Sequence, residues 1–310
     1  MRKRKTIFSS ATENWRLALR DLKAAGKELV FLPFIFLPLN SDSSVRSEMR
    51  VSSYGRLSHF LTVLMQAIVH YKRKPFSMGE VVCDPESKTD DRSDSVWYFI
   101  NGITAAPPAA ILHATEIANQ FNRPIHLLHT PTWGVLWDLW QCFRANTLKI
   151  HDDLTGPSLA VIKKALQTRE KVVVVCYSQG TVTSSLIVEE FLKDEDIRPL
   201  LHKLEVYNFA PLSSQFSVDK GLSREHGRNV PYVEHFANSG DPAAKIGVLR
   251  NGYKTDGALF LATDKKGHLL NDHYLGGVGR GEYCQGKSRL SKYLGGAVPT
   301  AADYASKQAG

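Results

Sequence analysis

Ser178, Asp241 and His268 are the residues whose types and spacing could perform nucleophilic acyl transfer. The serine lies in Lys-Val-Val-Val-Val-Cys-Tyr-Ser-Gln-Gly-Thr, residues 171–181. Four consecutive valines at 172–175 suit a strand buried on both faces of a parallel sheet. From Thr181 onward apolar residues recur at helical spacing, with Glu189, Glu190 and Lys193 polar. A turn this tight strains its central residue, exposes that side chain above the sheet, and needs small neighbours so that strand and helix can approach. This is the physical content of the nucleophile elbow, usually G-x-S-x-G. Here it reads C-x-S-x-G, with Cys176 in the place of the first glycine.

A serine nucleophile needs a base, an acid and donors for the oxyanion. In an open parallel sheet, the loops behind the carboxyl ends of the strands converge on one site. Behind a predicted strand at 96–100 come Asn101, Gly102 and Ile103. The amides of Ile103 and Gln179 could stabilise an oxyanion, each donor contributing roughly 2.7–4 kcal/mol. Behind a strand at 233–237 comes Asp241, where a carboxylate can orient a histidine. Behind a strand at 258–263 comes His268, and His273 follows five residues later. An imidazole with a pKa of about 6.5 can take and return a proton near neutrality. The two histidines compete for the role of base. A short loop ending in Gly267 lets His268 reach over the sheet, whereas His273 falls in a helical pattern that turns it about 140° away. His268 is the preferred base and His273 the second choice. The chain order Ser, Asp, His differs from the chymotrypsin and subtilisin orders.

The elements that must position these residues alternate along the chain. Strands are expected at 96–100, 125–129, 172–175, 205–209, 233–237 and 258–263, with helices at 108–120, 135–149 and 157–169 and after the elbow. This points to an α/β protein with a mainly parallel central sheet flanked by helices. Residues 1–83 read as a helical N-terminal extension, with helices at 12–26 and 55–72 and an apolar segment at 29–39. The charged stretch 84–95 reads as a polar linker, 96–294 as the core and 295–310 as a disordered tail.

Residues 96–276 resemble the α/β-hydrolase superfamily, particularly its lipase-like and esterase-like members. The resemblance rests on VWYFINGI, VVVVCYSQG, FANSGDP and GHLLNDHYL. It implies Ser178 as nucleophile, Asp241 and His268 as the rest of a triad, and the amides of Ile103 and Gln179 as the oxyanion hole. The chain departs from the family pattern at Cys176 and in having Asn101-Gly102 where His-Gly is frequent. The function expected is a serine esterase or lipase-like hydrolase that needs no cofactor. A non-catalytic binding or scaffold protein on the same fold is the alternative.

Composition narrows the rest. The chain has 310 residues, 43% of them hydrophobic, enough for a substantial core. Its net charge of +8 is concentrated partly in residues 2–5 and 72–74, but no nucleic-acid motif accompanies these runs. Cys83, Cys142, Cys176 and Cys284 form no C-x-x-C pair, so reduced thiols and a cytoplasmic setting are expected, with no metal site. Segment 29–39 is too short, and too interrupted by Pro33 and Pro38, to span a bilayer, and it begins too late for a signal peptide. It reads as core or groove packing, or as a peripheral membrane contact. Trp133, Trp137 and Trp140 sit at helical spacing and read as core or as a wall for an acyl group, with Asp138 as a substrate contact or an exposed carboxylate. The expected substrate is a small-molecule or lipid ester.

Overall fold

A computed structural model describes residues 45–68, 81–86, 94–102, 105–130, 156–213, 215–218, 229–250, 255–283, 287–300 and 302–303. The valine run forms β4 (Lys171–Tyr177). Val173, Val175 and Tyr177 enter one buried cluster, and Val172, Val174 and Cys176 enter another. Successive side chains of a strand point to opposite faces, so a strand covered on both sides is apolar throughout.

Around it lie β1 (Val81–Cys83), β2 (Ser95–Ile100), β3 (Ile125–Leu128), β5 (Leu204–Phe209), β6 (Tyr232–Gly240) and β7 (Ala258–Lys266). The seven strands run in the order β1-β3-β2-β4-β5-β6-β7. Only β1 is antiparallel to its neighbour. Helices among the described residues include α1 (Leu57–Ile68), α2 (Pro107–Phe121), α3 (Gly156–Thr168), α4 (Gln179–Lys193) and α5 (Pro242–Ile246). Helix α2 covers the Val173 face through Ala114, Ile117 and Phe121. Helices α3 and α4 cover the Val174 face through Ile162, Leu166, Ile187 and Phe191. A mostly parallel sheet in this order, with an antiparallel edge strand and helices on both faces, is the α/β-hydrolase fold. The chain leaves β2 for β3 on one side and then β4 on the other, so the strand order reverses at β2. In open parallel sheets, ligand sites lie at the carboxyl ends of the strands beside such a reversal, here β2 and β4.

Two expectations about the chain's organisation are corrected. The stretch read as a helical extension to residue 83 contains β1, so the polar segment 84–95 joins two strands of the sheet. A three-residue strand has no periodicity to read. Nor does order stop at residue 294. Arg123 donates from Nη2 to the carbonyls of Gly296 at 3.2 Å and Ala297 at 2.8 Å, and Asp303 accepts from the Thr300 amide. The predicted helices at 12–26 and 135–149 and the apolar segment 29–39 lie outside the described residues.

Residues 288–293 also cover the end of the sheet opposite the carboxyl ends of the strands. Near the starts of β5 and β6, Glu205 and Glu234 are buried. Glu205 accepts from Tyr293 at 2.9 Å and pairs with Arg289 Nη1 at 3.3 Å. Glu234 accepts from Ser288 Oγ at 2.7 Å and from the Arg289 amide at 2.6 Å. Burial pushes the Glu234 carboxyl up, against the pull of these donors.

Candidate active site

The elbow forms between β4 and α4. Ser178 has φ 52° and ψ −115°, a positive φ that a non-glycine residue adopts only when its surroundings impose it. What imposes it is close approach. A Cβ on Gly180 would press on the carbonyl oxygen of Ile100 and lie 2.9 Å from that of Asn101, so the first turn of α4 packs on the end of β2. A Cβ on Gly102 would lie 2.9 Å from Ser178 Cβ, which brings the loop behind β2 against the serine. Thr181 fixes the other side: its Oγ1 donates to the Ser178 carbonyl at 2.6 Å and accepts from the amides of Leu212 and Ser213.

The three residues are brought together. His268 Nε2 lies 3.0 Å from Ser178 Oγ. His268 Nδ1 lies 3.0 Å from each carboxylate oxygen of Asp241. Asp241 is fully buried, yet its charge is well supported. As N-cap of α5 it accepts from the Ala243 amide at 2.8 Å, and Tyr274 donates to its Oδ2 at 2.6 Å.

His268 is held from below as well. Tyr177 donates its hydroxyl to the His268 carbonyl at 2.9 Å, and the two rings lie 5.1 Å apart. Gly267, at φ +90°, permits the sharp turn into the histidine. His273 is not brought to the serine. It lies in a π-helical turn, Leu270–Leu275, and its Nδ1 accepts from the Leu269 amide at 2.9 Å. Its ring occupies the space where a Cβ on Gly267 would be. His273 thus shapes the loop that carries His268.

Of the two expected oxyanion donors, Gln179 is the first residue of α4, where the amide has no partner within its own helix. Its Nε2 is buried without a hydrogen-bond partner. Ile103, Trp133, Trp137 and Asp138 lie outside the described residues. Cys176, which takes the first glycine's place, is fully buried, and burial pushes its thiol up to about 12, so it remains a protonated packing group.

Several site residues lie within the quoted motifs but had no role that the sequence could show. Asn101 joins the loops behind β2 and β3: its Oδ1 accepts from the Thr130 amide at 2.7 Å and its Nδ2 donates to the Thr130 carbonyl at 3.2 Å. Asn238 does the same beside Asp241, donating from Nδ2 to the carbonyls of Gly267 and His273 and accepting from Tyr283 at 2.6 Å. Tyr274 was legible only as an aromatic in an apolar helical pattern. Among the described residues, no group of three or more His, Cys, Asp or Glu could hold a metal, and no helix is long and apolar enough to cross a membrane.

No protein-family model and no curated protein matches the sequence. Among solved structures, the chain is similar to a poly(3-hydroxybutyrate) depolymerase from Bordetella parapertussis, with 13% identity and a TM-score of 0.38 over 72% of this chain and 86% of that one. It is also similar to esterase 2 of Thermogutta terrifontis in its apo form, with 12% identity and a TM-score of 0.35 over 75% and 100% of the two chains. The butyrate-bound form of that esterase gives 11% identity and a TM-score of 0.31 over 66% and 86%. The fold assignment rests on this chain's own strand order and elbow.

Proposed function

We propose that this chain is a serine hydrolase of the α/β-hydrolase superfamily that cleaves carboxylic esters. The observation that carries the proposal is the unbroken line from Ser178 Oγ through both ring nitrogens of His268 to Asp241, each step 3.0 Å. Ser178 Oγ attacks the acyl carbon as His268 Nε2 takes its proton, and Asp241 stabilises the imidazolium. The carbonyl oxygen becomes an oxyanion facing the Gln179 amide, with Ile103 as the second donor. Collapse breaks the ester C–O bond, and His268 returns the proton to the departing alcohol. Water, deprotonated by His268, then attacks the acyl-enzyme and releases the acid and free Ser178.

The finer part of the proposal is an apolar or lipid acyl group, supported by the composition of residues 29–39 and by Trp133 and Trp137. A peripheral contact with an anionic lipid surface extends it. Helix α1 contains no Asp, Glu, Lys or Arg, and it exposes Leu57, Leu61 and Met65, which recur every four residues. Arg56 precedes the helix and is exposed, and the run Lys72-Arg73-Lys74 follows it in sequence. Basic flanks around an apolar stripe are complementary to anionic headgroups.

The test is labelling with a fluorophosphonate, followed by a panel of p-nitrophenyl esters from acetate to palmitate. Labelling at Ser178 and a preference for long chains are expected. A folded protein that takes no label would overturn the hydrolase reading in favour of a binding module.

A further inference from the structure

The stretch at residues 45–50 holds neither helix nor strand, yet it lies against the loop that carries His268. Glu48 is its centre. One carboxylate oxygen accepts from the Asn271 amide at 2.7 Å, and the other accepts from the Asp272 amide at 3.1 Å. These amides open the π-helical turn that begins two residues after His268, and amides at the start of a helical turn have no partner within it. Flanking bonds fix the register: Asn271 Nδ2 donates to the Arg46 carbonyl at 2.9 Å, and Ser47 Oγ donates to Asp272 Oδ2 at 2.7 Å.

Glu48 reaches the histidine by a second route. Its Oε1 lies 3.2 Å from His113 Nε2 on α2. His113 Nδ1 is buried without a partner, so this bond sets the orientation of the ring. The His113 ring meets the Tyr177 ring edge-on at 5.5 Å, and Tyr177 in turn holds the His268 carbonyl. Burial alone would raise the Glu48 carboxyl, but the His113 bond and charge and the Asn271 amide outweigh it and hold the group below its ordinary range. It is therefore ionised at neutral pH and accepts along both routes.

We propose that Glu48 is a positioning residue for His268, holding the base from behind through the π-helical turn and through His113 and Tyr177. Resting on the serine-hydrolase reading, this gives a segment outside the elbow, acid and base motifs a part in catalysis. No atom of Glu48 touches the reacting groups.

The experiment compares wild type with Glu48→Ala, Glu48→Gln and His113→Phe. Stopped-flow fluorophosphonate labelling measures both the rate constant and the labelled fraction. Nitrogen-15 NMR of the His268 ring reads its tautomer directly. Glu48→Ala should lower the labelling rate constant at least tenfold at an undiminished labelled fraction, with a changed His268 ring spectrum. Glu48→Gln keeps one acceptor oxygen and should fall between Glu48→Ala and wild type. His113→Phe, which breaks only the second route, should slow labelling severalfold and serves if Glu48→Ala does not fold. A merely structural role would reduce the labelled fraction and leave the rate constant of the folded remainder unchanged, which overturns the proposal. So would wild-type rates and ring spectra in the folded variants. Failure of wild type to label at all would sink the hydrolase reading instead, while the ring spectra would still report whether Glu48 positions His268.

Discussion

Tyr274 donates its hydroxyl to Asp241 Oδ2 at 2.6 Å and accepts the Asn238 amide at 3.1 Å, so Asp241 is gripped by a residue six positions beyond His268. A hydrogen bond to a buried charged group contributes about 1.5–3 kcal/mol. Tyr274→Phe removes that bond while keeping the ring. The acylation rate should fall roughly 10- to 100-fold with KM nearly unchanged. Steady-state kinetics on a soluble ester checks this, and a change confined to KM would contradict it.

The two histidines should separate cleanly. Ser178→Ala and His268→Ala should each lower hydrolysis by roughly 10⁴ to 10⁶, because triad members act as one unit. His273→Ala opens a space beneath Gly267 and frees the Leu269 amide, so it should cost stability and less than about tenfold in rate. Burst-phase kinetics with circular dichroism distinguishes these outcomes. An inactive His273→Ala beside an active His268→Ala would reverse the assignment of the base.

Gly180→Ala should damage the elbow without touching any reacting group. The added methyl meets backbone oxygens at the end of β2, which cannot swing aside as a flexible side chain would. Overpacking of this kind costs about 1–3 kcal/mol. Urea unfolding should register that loss, and fluorophosphonate labelling should slow in the protein that remains folded.

Asp272 offers a pH signature. Burial first, and the nearby charge of Glu48 second, raise its carboxyl to about 6. The unfolded value is about 3.9. Between these values the native chain holds a proton that the unfolded chain has lost, so this contribution to stability is present at low pH and disappears as pH rises to 6. Unfolding free energies of Asp272→Asn minus wild type should therefore increase from about pH 4 to 6 and then level off. A difference that stays flat with pH would refute the assignment.

Helix α1 can be tested apart from the chemistry. Replacing Leu57, Leu61 and Met65 together with serine should weaken binding to vesicles rich in phosphatidylserine, while a short soluble ester is cleaved at the wild-type rate. Equal vesicle binding by the variant would remove the lipid contact from the proposal.

Much of this architecture is legible in the sequence because it depends on local patterns. The six longer strands announce themselves by apolar runs, and the elbow by a strand-turn-helix transition around one serine. The edge strand β1 is too short for periodicity and gains its identity only by pairing with β3. Asp241 and His268 could be nominated because each directly follows a strand. Choosing between His268 and His273 needed the glycine-ended loop and the helical pattern around the second histidine. Long-range partners were not legible. Glu48 and Asn271 are 223 residues apart, and Tyr274 looks like any core aromatic until its hydroxyl meets Asp241. Hydrogen bonds across such separations leave no trace in spacing.

The clamp made by residues 288–293 bears on how the chain is born. Glu205 and Glu234 are synthesised before Arg289, Ser288 and Tyr293, which complete a set of donors begun by Lys171, Tyr207 and Tyr232. Burying a carboxyl with acceptors left unfilled is costly, so β5 and β6 gain part of their stability only once residues 288–293 are in place. Ser178, His268 and Asp241 all precede that point. The stretch that carries Ser178, Asp241 and His268 is thus made before the residues that complete the far end of the sheet.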